Sequence, residues 1–113
     1  MKIIAVFFSL LLLSISANAW DGVTTGKIVR MESVGGASNG ENFDLRVTLS
    51  QGTSPCPGNP AAPVDWSYIN TNNYNYTGVF ATLMLAYSKG KNVTIYSNTV
   101  GGFCHIGWVI ISG

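Results

Sequence analysis

The sequence predicts a small, mainly β domain with one helix, in the order β-β-β-α-β-β. Five short segments have the composition of strands, and most alternate apolar and polar residues with a two-residue period. Only residues 77–89 have apolar residues at the three- and four-residue spacing of a helix. Residues 51–63 contain all four prolines. Proline lacks an amide N–H, so this segment is excluded from both a helix and a sheet ladder.

Residues 1–19 have the pattern of a secretory signal peptide. They contain one lysine, then an apolar run of about 11 residues, then small residues ending in Ala17-Asn18-Ala19. We expect cleavage after Ala19, which leaves a single domain of residues 20–113 that is secreted or periplasmic. The apolar run is shorter than the roughly 20 residues of a spanning helix, so no membrane span is predicted.

The charge of residues 20–113 excludes one class of partner. Lys2 accounts for one of the six basic residues, so five basic and five acidic residues remain. A nucleic-acid-binding domain needs a basic face to neutralise phosphates, and a domain without net charge does not predict one.

The first two strands are predicted at residues 27–34 and 42–50. In the second, the apolar residues from Phe43 to Leu49 alternate with polar residues such as Arg46, so one face is expected to face the core. A Gly-rich loop joins the two segments, which predicts an antiparallel hairpin.

The third strand and the helix follow the proline-rich loop. The strand is predicted at residues 64–69 and the helix at residues 77–89, with Thr77 or Asn75 as N-cap and Gly90 as the left-handed residue after its end. The apolar stripe of the helix consists of Val79, Phe80, Leu83, Met84, Ala86 and Tyr87.

Two further strands are predicted at residues 92–97 and 103–112. Five strands with a helix between the third and the fourth is the order of the OB-fold, a small five-stranded barrel, with the helix expected to plug one end. An α+β sandwich is the alternative. The last strand is apolar on both sides in its second half, which favours a homo-oligomer that covers it.

Cys56 and Cys104 are the two cysteines of the chain. In an exported protein they predict one disulfide, Cys56–Cys104. A metal site is not expected, because Cys104 and His105 are adjacent and no C-x-x-C spacing is present.

Residues suited to catalysis are few. His105 is the one histidine, and it follows a cysteine expected to be disulfide-bonded, so a structural or surface role is predicted for it. Catalytic motifs and cofactor fingerprints are absent from the sequence. We therefore predict neither an enzyme nor a cofactor, and an enzyme hypothesis depends on His105 alone.

Aromatic residues point to carbohydrate. Sugars stack their C–H faces on aromatic rings and hydrogen-bond to amide and hydroxyl groups, and the Asn-rich residues 70–76 combine both kinds of side chain. Tyr74 and Tyr76 are therefore candidate sugar contacts. Trp66 and Trp108 are instead expected to pack in the core.

Two stretches resemble the B subunits of bacterial toxins of the subtilase-cytotoxin and typhoid-toxin type. The run Trp20-Asp21-Gly22-Val23-Thr24-Thr25-Gly26-Lys27-Ile28 is similar to their D-G-x-x-[S/T]-G-x-[V/I] opening. A second stretch is similar to their W…A-x-x-F-Y-x-x-x-G-x-x-V-x-I-Y pattern. It consists of Trp66, then Ala86-Tyr87-Ser88-Lys89-Gly90-Lys91 and Val93-Thr94-Ile95-Tyr96.

This resemblance implies an OB-fold subunit that forms a ring, typically a homo-pentamer, and binds cell-surface glycans such as sialylated sugars. The sugar-contacting Asp and Ser of that family fall on Asp21 and Thr25, and an acidic contact of the family falls near Arg46. A toxin A-type subunit is the partner implied. The competing hypothesis is a periplasmic or surface domain that binds or inhibits a protein target.

Overall fold

The computed structural model describes residues 20–35, 43–52, 54–57 and 64–112. The predicted signal peptide, most of the Gly-rich loop and half of the proline-rich segment lie outside the described residues. The predictions made for them therefore stay predictions.

Within the described residues, five strands and one helix occur in the predicted order. They pair in the ring β1-β2-β3-β5-β4, which closes on β1 as a small barrel, so the sandwich alternative is wrong. Neighbouring strands are antiparallel except β3 and β5, which are parallel. The elements are β1 (Gly22–Ser33), β2 (Leu45–Leu49), β3 (Trp66–Ile69), α1 (Tyr76–Lys89), β4 (Asn92–Val100) and β5 (Phe103–Ser112).

Strand β1 is longer than the predicted segment of residues 27–34. Its first half, from Gly22 to Lys27, pairs with β4, and its second half pairs with β2 after an irregularity between Ile28 and Arg30. The first half has no apolar–polar alternation that predicts a strand, because its inward positions include Gly22 and Thr24 rather than large apolar residues.

Three other strands have boundaries that differ from the prediction. Strand β2 begins at Leu45, so Phe43 precedes it, and the ring of Phe43 packs against Trp66 and Tyr68 instead of joining the core side of β2. Strand β3 comprises only the last four residues of the predicted segment 64–69, and β4 extends beyond its predicted end at residue 97 to Val100. These ends depend on partner strands, which local patterns do not specify.

The interior of the barrel is aliphatic. Inward residues of the strands meet the buried side of α1 in a single cluster, and burying each such side chain stabilises the fold by roughly 1.5–3 kcal/mol. The buried cluster consists of Ile28, Leu45, Val47, Leu49, Ile69, Val79, Leu83, Ala86, Val93, Ile95 and Ile106.

The helix forms close to its predicted bounds and ends as predicted. Gly90 has a φ of 61°, and the Lys91 N–H donates to the Ala86 carbonyl at 2.9 Å, so the last turn closes through a left-handed residue. Asn75 occupies the N-cap position, but its side chain makes no capping hydrogen bond.

The predicted apolar stripe of α1 is too wide. Val79, Leu83 and Ala86 are buried, whereas Met84 and Tyr87 are exposed. The buried three point in one direction, while Met84 and Tyr87 lie on the flank of the helix. The barrel therefore covers only the central part of that stripe.

The predicted disulfide is present, and it holds the cysteine loop against β1 and β5. Cys56 and Cys104 are bonded, fully buried and 5.7 Å apart at their Cα atoms. A Cβ atom at Gly22 would overlap the Pro55 carbonyl oxygen, so the cysteine loop lies directly on β1. Among the described residues, no helix has the length and apolar character needed to cross a membrane.

Two leucines of α1, one buried and one exposed, test which side of the helix faces the core. We expect Leu83→Ala to lower the free energy of unfolding by about 3 kcal/mol, because Leu83 is fully buried and its removal leaves a cavity. Leu85→Ala is the matched control, since Leu85 is 50% exposed, and we expect about 0.5 kcal/mol or less. Urea unfolding followed by circular dichroism measures both, and equal losses would contradict the assigned core.

Removing the disulfide tests its contribution. The bond joins residues 48 positions apart, and the chain-entropy model gives about 4 kcal/mol for a loop of this size. We expect Cys56→Ser/Cys104→Ser to lower the free energy of unfolding by about that amount. A reductant should destabilise the native chain and leave the double variant unchanged. If native and variant unfold at the same urea concentration, the bond contributes nothing.

Candidate functional site

Strands β1, β4 and β5 present a mixed aromatic and hydroxyl surface on the outside of the barrel. Because alternate residues of a strand point to opposite faces, the buried Val93 and Ile95 leave Thr94 and Tyr96 on the outside. The register places Val23, Tyr96 and Trp108 side by side in one row, and Thr25, Thr94 and Ile110 in the next. We call these six residues the β1–β4–β5 face.

Three aromatic rings form a ladder on and beside this face. The rings of Tyr96 and Trp108 are stacked with centroids 4.7 Å apart, and Trp20 lies against Tyr96 at 5.6 Å. The indole of Trp20 occupies the space above Gly107, where a Cβ atom would overlap it. Trp108 is 52% exposed at the end of the ladder, so the prediction that it packs in the core is wrong.

A groove runs beside Trp108, between α1 and β5. Its volume is about 300 Å³, the lower end of the range typical of small-ligand sites. The walls combine apolar side chains with an amide and a hydroxyl, the combination that a sugar ring requires. They are formed by Asn75, Gly78, Val79, Thr82, Gly107, Trp108 and Val109.

Asp21 and Thr25, the two residues indicated by the toxin resemblance, lie at the edge and on the surface of this face. The Asp21 Oδ2 accepts a hydrogen bond from the Thr99 N–H at 2.8 Å, and the Asp21 N–H is directed at the Ser97 carbonyl and the Asn98 side chain. The Thr25 and Thr94 hydroxyls are 2.8 Å apart. Asp21 therefore fixes the start of β1 to β4, and the Thr25–Thr94 pair remains exposed.

Tyr74 lies in the turn before α1, and Tyr76 is the first residue of α1. Tyr74 is fully exposed, whereas Tyr76 is partly buried against the core and stacks with Phe80 at 6.0 Å. No hydrogen bond or ring contact within the described part of the chain joins either tyrosine to Asp21 or Thr25. Asn75, which stands between them, is the residue of this turn that reaches the groove.

A second aromatic cluster lies on the outside of β2, β3 and β5. Trp66 and Phe103 are stacked at 5.4 Å, and Phe43 packs edgewise between them and Tyr68. Trp66 thus lies outside the barrel, so its predicted place in the core is also wrong. The cluster, which we call the β2–β3–β5 cluster, consists of Phe43, Trp66, Tyr68, Phe103 and His105, with Arg46 on it.

Arg46 and His105 give this cluster its electrostatic character. The Arg46 guanidinium carbon is 4.5 Å from the centre of the Trp66 ring, a cation–π geometry. His105 contacts Tyr68 edge to face at 5.2 Å, and burial lowers the pKa of its imidazole below the ordinary 6.5. Among the residues that the structure describes, no group of three His, Cys, Asp or Glu side chains is placed to bind a metal ion.

Sequence reasoning missed most of the candidate site. Tyr96 lies on the polar side of β4 and Trp108 in the apolar strand β5, and only the pairing of these strands shows that their rings stack on the outside. Gly107 was the available signal: a glycine inside a strand suggests a bulge, and the register of β4 and β5 shifts there.

The family of the chain follows from a match over almost its entire length. A family model described as "Family of unknown function (DUF5992)" matches residues 2–112. The chain belongs to this family. No curated protein and no solved structure matches it at a significant level. DUF5992 membership supplies no activity, so function must be argued from the site.

His105 makes stability depend on pH. Because burial lowers the folded-state pKa, the unfolded chain takes up the proton first as the pH falls. The stabilisation from neutral His105 is complete above about pH 6.5 and is lost as the pH falls through the lower folded-state pKa. We expect the urea midpoint to fall between about pH 7 and about pH 5, and His105→Gln to remove part of that fall. An identical fall in the variant would contradict this.

Proposed function

We propose that this chain is an exported, non-catalytic domain that binds cell-surface glycans through the groove beside Trp108. The observation that carries the proposal is Trp108 itself, a half-exposed indole held by stacking on Tyr96 and bordered by the groove. A stacked, immobile ring binds at a lower entropic cost than a mobile one. Aromatic area with nearby amide and hydroxyl groups suits a sugar better than a purely apolar ligand.

Lysines at one end of the same face favour an acidic sugar. Lys27 pairs with Asn92 at the start of β4, and Lys89 and Lys91 immediately precede that strand. These are three of the five basic residues in residues 20–113. Asn92 and Tyr96 are four residues apart, about 13 Å along a strand, so an oligosaccharide on Trp108 would reach the lysines. We therefore propose sialylated glycans as the ligand class, as the toxin B-subunit resemblance implies.

The same proposal includes export, a homo-oligomer and a toxin-like partner. The intramolecular disulfide is compatible with a secreted or periplasmic location. A homo-pentamer that recruits a toxin A-type subunit is the assembly implied by the resemblance. Light scattering on residues 20–113 measures the mass of the assembly: a constant mass of five chains supports this ring, whereas single chains or a weak pair contradict it.

A second candidate function, protein binding or inhibition, is favoured by one observation. Met84, Leu85 and Tyr87 are each at least 40% exposed on α1. A pull-down that yields one stoichiometric protein partner, lost on Leu85→Ser, would support this function over glycan binding.

A glycan array with matched variants tests the main proposal. We expect binding to sialylated glycans by residues 20–113, and about a tenfold or greater loss for Trp108→Ala, which corresponds to about 1.4 kcal/mol. Tyr87→Ala is the control, because Tyr87 is also an exposed aromatic residue but lies on α1 outside the groove.

Salt and a second variant separate the parts of this proposal. If lysines bind an acidic group, affinity should fall as the salt concentration rises, and Lys27→Gln should reduce that dependence. An array without any binder, or a Trp108→Ala variant that binds like the native chain, would overturn the proposal. Binding confined to neutral glycans would overturn the sialylated class alone.

A further inference from the structure

The turn before α1 presents Tyr74 on a rigid support. The Thr71 N–H and hydroxyl both donate to the Asp44 Oδ2, at 2.8 and 2.9 Å, and the Asp44 N–H donates to the Asn70 Oδ1 at 3.0 Å. The turn is therefore tied to the start of β2 by three hydrogen bonds. Tyr74, on the same turn, is nevertheless fully exposed.

A fully exposed aromatic ring on a rigid turn has the properties of a binding anchor. Tyrosine buries a large area while losing little side-chain freedom, and such residues dominate the energetics of many interfaces. The hydrogen bonds from Asp44 restrict the turn before any partner arrives, so less entropy is lost on binding. A partner that binds Tyr74 must therefore provide an apolar cavity of about the size of one ring.

The same surface contains a cavity of that size. A pocket of about 180 Å³ opens beside the β2–β3–β5 cluster, smaller than a typical site for a drug-sized ligand. Three of its walls are aromatic, and a carboxamide supplies a polar group that suits a phenol hydroxyl. It is lined by Phe43, Tyr68, Asn70, Val100, Gly101 and Phe103.

The turn that carries Tyr74 begins at the pocket. Asn70 lines the pocket and begins the turn that carries Tyr74, and Asp44 follows Phe43 in the chain. Tyr74 does not occupy the pocket of its own chain, because it is fully exposed. A surface with a projecting ring beside a ring-sized pocket is self-complementary, the condition for a two-fold interface.

Charge favours a second copy of the chain over a charged ligand. A two-fold axis brings a surface against itself, so a surface of one sign would repel its copy. This surface carries charges of both signs, because Asp44 and Arg46 lie on it and Glu32 is the cross-strand neighbour of Arg46, and residues 20–113 have no net charge. The Arg46 guanidinium lies 5.5 Å from the centre of the Phe43 ring, so it would repel a cationic ligand, whereas it accepts a neutral electron-rich ring.

We propose that two copies of this chain form a two-fold pair in which Tyr74 of each copy enters the aromatic pocket of the other. Two tyrosines and the pocket walls that cover them bury about 600–1,000 Å² in total, on the basis of roughly 150–250 Å² for each aromatic side chain. That area lies below the roughly 1,200 Å² of a stable interface, so the pair is weak and reversible.

Sedimentation velocity on residues 20–113, from about 10 µM to about 1 mM, tests the pair. We expect the average mass to rise with concentration toward two chains. Tyr74→Ser should remove this rise, and Tyr74→Phe, which keeps the ring, should retain most of it. Tyr87→Ser is the control for loss of an exposed tyrosine and should behave as the native chain.

A mixing experiment tests the reciprocal contact. Val100 is 51% exposed at the pocket, so Val100→Arg should block the pocket without unfolding the chain. Neither Tyr74→Ser nor Val100→Arg should pair with itself. An equimolar mixture should pair more than either variant alone and less than the native chain, because only the ring of the Val100→Arg chain enters an intact pocket, that of the Tyr74→Ser chain. Circular dichroism confirms the fold of each variant.

Three outcomes would overturn the pair. They are a mass of one chain at every concentration, pairing that survives Tyr74→Ser, and a mixture whose average mass at about 1 mM is no higher than that of either folded variant alone. A constant mass of five chains would also exclude it as the primary assembly. Glycan binding through Trp108 is measured separately, so loss of either property leaves the other testable.

Discussion

The barrel depends on the pairing of β1 with two different strands along its length. Residues of its first half bond to β4 and residues of its second half to β2, and the irregularity between Ile28 and Arg30 lets one strand serve both. Close approach at Gly22 and Gly26 makes this arrangement specific, since a Cβ atom at Gly22 would overlap Pro55 and one at Gly26 would crowd Ser50. Closure gives each of the five described strands two neighbours, so the outer surface that a partner meets consists mainly of side chains.

A narrow barrel also decides where the aromatic residues lie. The buried cluster of strands and helix contains valine, leucine, isoleucine and alanine. Tyr76 and Phe80 pack against it from α1, whereas most other large rings collect on two outer surfaces. Strand β5 contributes to both surfaces. Phe103 and His105 face outward before Gly107, and Trp108 faces outward after it, because the register with β4 shifts by one residue at this glycine. One bulge therefore separates the β2–β3–β5 cluster from the groove beside Trp108.

The parts of the fold that local chemistry determines were predictable from the sequence. The helix, its end at Gly90, the last strand and the disulfide each follow from spacing, glycine conformation or cysteine count. The first half of β1 was not predictable, because glycine and threonine occupy inward positions that usually hold large apolar residues. Trp108 was misplaced because hydropathy does not distinguish the two sides of a strand when both are apolar, and Trp66 because the polar residue Ser67 occupies the buried inward position beside it. The candidate groove depends on the contact of α1 with β5, which no local pattern contains.

The turn of residues 70–75 connects the two proposed properties of the surface. Asn70, at its start, lines the aromatic pocket, and Asn75, at its end, lines the groove beside Trp108. Tyr74 lies between them, so a second copy that holds Tyr74 would also restrict Asn75 in the groove of the same chain. A weak pair has little effect on a soluble monovalent sugar. On a surface that carries many glycans, however, two linked grooves raise the effective concentration of the second site, and weak contacts combine into firm attachment. Modest self-association and modest sugar affinity therefore support one another on a glycan-covered surface.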